Sequence, residues 1–283
     1  MRLVTFVKDD VVSVGVSVDG AVVPVDAPDL ISFVQADDFK EVAQAAFERA
    51  QRGLGLVRPD RLLAPVPRPG KILNVELNYP SILKFEPDDD FPQRPRIFAK
   101  LTNAVIGPGT PIEISSRELK VDYEVELAVV IGRTARRVRS SDVLDYILGY
   151  TILNDVAARD VQLEQDNTLF AKGMDTFCPL GPEIVLPDEI PDPRALTVRS
   201  YVNGALRQED SIANLHFSIP EVIEYVTEAI TLEPGDVVST GTPAGVGLYL
   251  DPPSYLKPGD EVTVEVDNIG RLTNPVISAW ESS

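Results

Sequence analysis

Three carboxylates from two separated stretches are the residues in this 283-residue sequence best suited to chemistry. Glu124 and Glu126 stand two apart in VDYEVELAVVIG, which runs from Val121 to Gly132, and Asp155 follows Asn154 in GYTILNDVAARDVQ. Tyr123, Val125, Leu127, Val129 and Ile131 alternate with Glu124, Glu126, Ala128 and Val130, a pattern rich in the β-branched and aromatic residues of a strand. Side chains two apart on a strand share a face. Two carboxylates on one face of an otherwise apolar strand repel each other and lose hydration, which protonation or an intervening cation relieves. Oxygen ligands suit a hard divalent ion. An edge strand with one solvated face is the plainer explanation, but the apolar run from Leu127 to Ile131 speaks against it.

A third ligand must come from elsewhere in the chain. Tyr150 to Leu153 is predicted as a short strand that ends at Asn154 and Asp155, which then cap a helix beginning near Val156. Asp155 at the strand's end is placed to complete a cation site. Arg159 and Gln162, three apart, project from one side of the predicted helix.

These stretches carry a family resemblance. VDYEVELAVVIG, GYTILNDVAARDVQ, AKGMDTFCPLGP, VNG with RQ, LEPGDVVSTGTPAGVG and LKPGDEV follow one another as in the fumarylacetoacetate hydrolase superfamily, from about Lys71 to the C-terminus. The sequence most resembles the branch containing acylpyruvases and oxaloacetate decarboxylases. The resemblance implies an α+β fold, a strand-rich mixed β-sandwich roll, and a homodimer. It implies one Mg²⁺, or Mn²⁺ in its place, on Glu124, Glu126 and Asp155. The implied substrate is a small 2-oxo or 1,3-dicarbonyl carboxylic acid that chelates through two oxygens. Lys172, in AKGMDTF, would point at that substrate, where an ammonium stabilises an enolate or carboxylate oxygen. Lys100 in IFAK, Arg159, Gln162, Tyr79 in LNY, and Thr242 in the TGTP loop (Thr240 to Pro243) would contact or surround the substrate.

The sequence departs from the family at one place. There, LNY is followed by a His and a Glu, three apart, that polarise a water over the metal; here Ile82 and Phe85 occupy those positions. Imidazole, with an unperturbed pKa of about 6.5, is the natural base for that task. Glu86, Glu76 and the run Asp88 to Asp90 are the nearby acids that could substitute, and Glu86 is the expected catalytic partner of Lys172. The only histidine, His216, lies between Leu215 and Phe217, as a packed residue or as a base recruited from another element. The leading expectation is C–C bond cleavage of a keto acid through a metal-bound enolate, by hydrolysis or decarboxylation. Dehydration or keto–enol isomerisation by the same enolate is the alternative, and the missing histidine shifts weight from hydrolysis to a lyase or isomerase. A catalytically silent metal-binding scaffold is the alternative of another class.

The rest of the chain must position these groups. With 44% hydrophobic and 25% charged residues the chain is long enough for one large core and a smaller module. Leu3 to Val7, Val11 to Val18 and Ala21 to Val25 are predicted strands, the last two joined by an Asp19-Gly20 turn. Asp37 is predicted to cap a helix from Phe39 to about Gln51, closed by Gly53. Pro65, Pro67, Pro69 and Gly70 form a stiff connector, so residues 1–65 are expected as a small β-rich module and 66–283 as the catalytic domain. A formal charge of −18 and a pI near 4.4 argue against nucleic acid and anionic membranes as partners. One cysteine, Cys178, precludes an internal disulfide. With no signal-peptide pattern and no apolar run of ~20 residues, a cytoplasmic location is expected.

Overall fold

A computed structural model describes residues 1–83, 92–115 and 119–279. Two sheets dominate this α+β fold. The larger, of eleven strands, runs in the order Ala21–Val25, Val11–Val18, Arg2–Lys8, Cys178–Val185, Ile147–Asn154, Val125–Ile131, Val237–Ser239, Ile72–Glu76 and Arg96–Lys100, with Arg61–Leu62 and Val105–Ile106 pairing off that path. The smaller, of five strands, runs Ala205–Ser211, Thr197–Val202, Glu261–Val266, Gly270–Ser278 and Ile112–Ile114.

The alternation in VELAVVI decides how the sheets stack. Val125, Leu127, Val129 and Ile131 join Tyr150 and Ile152 of the neighbouring strand in one core. Val198, Val264 and Leu272 of the smaller sheet complete it, together with Val222, Ile223 and Val226 of the helix Ile219–Ala229. Their intervening neighbours, Glu126 and Ala128, take the opposite face. Acidic side chains are thereby kept out of the main core and gathered behind it.

Two boundaries differ from the sequence expectation. The stretch Val121 to Gly132, read as one strand, is two pieces, Val121–Asp122 and Val125–Ile131. At the break, side chains replace the ladder: Asp122 Oδ1 accepts from the Tyr123 N–H at 2.9 Å, and Asn154 Oδ1 accepts from the Glu124 N–H at 3.0 Å. The helix expected from near Val156 begins at Arg159, because Ala157 and Ala158 stay extended and pair with Asp122 and Val121.

In the N-terminal segment the three strands and the helix Phe39–Gln51 form where predicted, although Asp38 rather than Asp37 occupies the cap position. The larger sheet runs on without interruption across the expected boundary at residue 65. Arg2 and Leu3 pair with Val185 and Ile184, and the core beneath Leu3, Val14 and Val16 also takes in Val130, Leu148 and Ile184. Among the described residues no helix is long and apolar enough to cross a membrane.

Gly149, in the strand that ends beside the acidic site, has no space for a side chain. A Cβ there would lie 2.4 Å from the Val185 carbonyl oxygen and 2.7 Å from Ile184 Cγ2. Gly149→Ala should push these strands apart and destabilise the fold by about 1–3 kcal/mol. In urea this reads as a lower midpoint at constant m value; an unchanged midpoint would show looser strand packing.

Candidate active site

The register of two strands brings the three carboxylates together. Val125 pairs with Asn154, which sets Asp155 beside Glu124, and the Glu124 carbonyl accepts the Asp155 N–H at 2.9 Å. Carboxylate oxygens from Glu124, Glu126 and Asp155 all lie within 4.8 Å of one another, and all three residues are buried.

Three cations accompany them. Lys172, at the end of the short helix Thr168–Lys172, donates from Nζ to Glu124 Oε2 at 2.8 Å and Asp155 Oδ2 at 2.5 Å, and lies 4.7 Å from the centre of the Phe98 ring. Lys100 donates to Asp155 Oδ1 at 2.6 Å and to the Val156 carbonyl at 3.1 Å. Arg159 opens its helix and forks three ways, to Glu124 Oε1 at 2.5 Å, Asp122 Oδ2 at 2.9 Å and Gln162 Oε1 at 2.9 Å. Asp122 is itself fixed by the N–H groups of Gly247 and Leu248 at 2.7 and 3.0 Å. Among the described residues no cation pairs with Glu126. Its donors among the described residues, Asn74 Nδ2 and the Ser239 hydroxyl, both go to Oε2.

Four buried carboxylates, Asp122, Glu124, Glu126 and Asp155, thus face three buried cations, Lys100, Arg159 and Lys172. The protonation equilibria follow the contacts. For Asp155, burial opposes ionisation, but Lys100 and Lys172 outweigh it and hold the carboxyl at about 2. For Glu124, burial prevails over Lys172 and Arg159, and its pKa rises. Glu126 is raised well above the usual range, by burial first and then by the charges of Asp155 and Glu124. Burial would lower Lys172, but Asp155 and Glu124 raise it, so it remains an ammonium. A divalent cation fits this donor set. It would supply the charge that Glu126 lacks, and an ammonium already bridges the other two carboxylates.

Glu124, Glu126, Arg159, Gln162, Lys172 and Thr242 line one cavity of about 130 Å³. Drug-sized ligands occupy about 300–1,000 Å³, so this one suits a small acid. Ile82, from the helix Pro80–Leu83, is 7% exposed and forms part of the wall, so an apolar side chain stands where the family's imidazole was expected.

Lys100, Tyr79 and His216 lie away from the cavity, and Thr242 lines it with its hydroxyl already engaged. Lys100 does not reach the cavity, because its ammonium is engaged behind Asp155 with no side-chain exposure. Tyr79 is buried in the core between the sheets, its hydroxyl without a partner among the described residues. Thr242 reaches the cavity, but its hydroxyl donates to the Val125 carbonyl and accepts from Gln208 Nε2, so it braces the loop. His216 is exposed, packs edge-on against Phe217 with ring centres 4.4 Å apart, and does not line the cavity. Glu86, Phe85 and Asp88 to Asp90 lie outside the described residues. Asp122, Asn74 and Ser239 had not been singled out from sequence. A lone asparagine in the buried run ILNV was the available signal for Asn74.

Comparison with known proteins bears on this site. Residues 71–277 match the family described as fumarylacetoacetate (FAA) hydrolase C-terminal. The mitochondrial oxaloacetate tautomerase fahd2 of Xenopus laevis is 37% identical over 98% of this chain and 90% of its own length. Oxaloacetate tautomerase YisK of Bacillus subtilis is 41% identical over 76% of this chain and 73% of its own. Among solved structures, maleylpyruvate hydrolase from Sphingobium sp. SYK-6, in complex with manganese (II) and pyruvate, superposes with a TM-score of 0.80 at 30% identity, covering 98% of this chain and 99% of that one.

The raised Glu126 makes a testable link between pH and stability. From about pH 4.3, where an unfolded glutamate loses its proton, up to its raised folded value, the folded state holds a proton that the unfolded chain has lost. Stability of the metal-free protein from this group therefore falls as pH rises through that window, and a divalent ion held there would remove the penalty. The gain in Tm caused by Mg²⁺ should be larger at about pH 8 than at about pH 5.5. A gain independent of pH, or none, would contradict this account.

Proposed function

This chain belongs to the fumarylacetoacetate hydrolase family, and from that premise we propose that it interconverts the keto and enol forms of a small 2-oxo dicarboxylic acid of the oxaloacetate class. It is an enzyme of that family; the choice of reaction is our reading. The observation that carries it is the wall of the cavity. An enolate can be stabilised there, but Ile82 stands where a water-activating imidazole would be needed for hydrolysis. Relatives named oxaloacetate tautomerase, aligned over most of the chain, support it.

In this proposal Glu124, Glu126 and Asp155 hold one Mg²⁺ or Mn²⁺. Bound there, the ion would polarise the 2-oxo group and take up negative charge as the neighbouring C–H bond breaks. Lys172 sits among the same carboxylates as a permanent ammonium and binds a substrate carboxylate or enol oxygen. Arg159 fixes Glu124 from behind and carries Gln162 to the rim. The low-polarity side of the cavity, Ile82, Phe98 and Leu248, limits water around the reacting carbon. Cleavage of a C–C bond in the same substrate is the second reading, favoured by the likeness to a maleylpyruvate hydrolase.

We also propose a homodimer. Leu169 and Phe170 are 52% and 60% exposed on the helix that carries Lys172, and with Leu101 at 41% they leave an apolar surface for a second copy to cover.

With Mg²⁺ present, the protein should accelerate decay of the enol absorbance of oxaloacetate without forming pyruvate. Glu126→Gln and Asp155→Asn should each lower kcat/KM by about 10²-fold or more. Pyruvate appearing at the rate of enol loss would favour cleavage instead, and full activity in both variants would remove the metal site from the mechanism. Light scattering should give twice the 30.9 kDa chain mass; a monomer would refute the dimer.

A further inference from the structure

We propose that Glu76 carries the proton to and from carbon in this reaction, an inference that rests on the keto–enol reading above. The strand Ile72–Glu76 alternates, so Ile72, Asn74 and Glu76 share one face. On that face Asn74 Nδ2 lies 3.3 Å from Glu126 Oε2. Glu76 stands two residues further along, about 7 Å beyond, and lines the cavity together with Glu124, Glu126 and Lys172. The next strand agrees: Phe98, which lies under the Lys172 ammonium, is opposite Asn74, and Arg96 is opposite Glu76.

Its surroundings separate Glu76 from the other two carboxylates that line the cavity. Glu124 is bound by Lys172 and Arg159, and Glu126 by Asn74 and Ser239; both are buried. Glu76 is exposed, and while its backbone belongs to the strand, its carboxylate makes no hydrogen bond or ion pair with any described residue. It is thus free of the metal-ligand set, within reach of a ligand in so small a cavity, and in exchange with solvent.

The backbone that aims it is held firmly. Leu77, the next residue and also part of the cavity wall, has a φ of +54°, a left-handed conformation that costs a non-glycine residue about 1–3 kcal/mol. Asn78 maintains it through three hydrogen bonds, from Nδ2 to the carbonyls of Phe217 at 3.0 Å and Thr240 at 2.9 Å, and to Oδ1 from the Phe217 N–H at 2.8 Å. Strain that is locked in at the mouth of a cavity marks a position whose direction matters. This turn ends the strand at Glu76 and sends the chain over the cavity, where it delivers Ile82 to the wall.

The proton balance is simple. In the ketonising direction the Glu76 carboxylic acid gives its proton to the enol carbon, where the C=C electron pair forms the new C–H bond. The enol O–H bond breaks, its electron pair closes the C=O bond, and that proton leaves to water. Glu76 then regains a proton from solvent at the mouth. In the enolising direction its carboxylate takes the C–H proton and the carbonyl oxygen is protonated from water.

The test compares wild type, Glu76→Gln and Glu76→Asp, each loaded with Mg²⁺, on oxaloacetate. Glu76→Gln should lower kcat about 10²-fold or more with little change in KM, and slow deuterium uptake at the substrate CH₂ in D₂O by the same factor. It should leave the Mg²⁺-induced rise in Tm unchanged, which also shows that the variant folds. Glu76→Asp should recover part of the rate. A Glu76→Gln enzyme within about twofold of wild type in both assays would overturn the assignment of Glu76 alone, whereas an inactive wild type would overturn the keto–enol reading beneath it.

Discussion

The structure is organised around the cost of burying four carboxylates on one side of a sheet. An uncompensated buried charge is far more expensive than any single packing contact, and the chain meets that cost with three buried cations from three different elements. Each cation fixes an element in place: Lys100 the end of an edge strand, Arg159 the start of a helix, Lys172 the end of another. Because the three cations touch Asp122, Glu124 and Asp155 but not Glu126, the network of described residues is one positive charge short, and the shortage falls where two strands open onto a cavity.

That placement follows from strand geometry. The two-residue period of VELAVVI sends Val125, Leu127, Val129 and Ile131 into the core between the sheets and Glu126 to the face behind it, so one strand builds the fold and the site at once. Antiparallel pairing then brings Asp155 alongside without any loop having to reach across.

The family resemblance of AKGMDTF singles out Lys172, whereas the acidic strand and the partner aspartate are legible in the sequence because period and residue type carry them. The N-terminal strands and helix were legible for the same reason. Longer-range facts were not. Nothing local to Asn154 says that its side chain would take the place of a ladder bond to Glu124, or that Asp122 would anchor Arg159. The proline-rich connector is legible as a change in local pattern, whereas the pairing between residues about 180 positions apart that carries the larger sheet past it is not. The sequence places Lys100 and Thr242 among the substrate contacts, but in the structure their polar atoms are engaged by Asp155 and by Val125 and Gln208, partnerships set by tertiary contacts.

The claim on which the chemistry depends is that Glu124, Glu126 and Asp155 share one divalent ion. The most direct measurement is diffraction from a crystal grown with Mn²⁺, using the anomalous signal of the metal. This account predicts a single strong peak bound by one oxygen from each of the three side chains, with the Lys172 ammonium drawn off at least one carboxylate that it now bridges. Absence of a peak, with Lys172 still joining Glu124 to Asp155 and Glu126 still facing only Asn74 and Ser239, would contradict it.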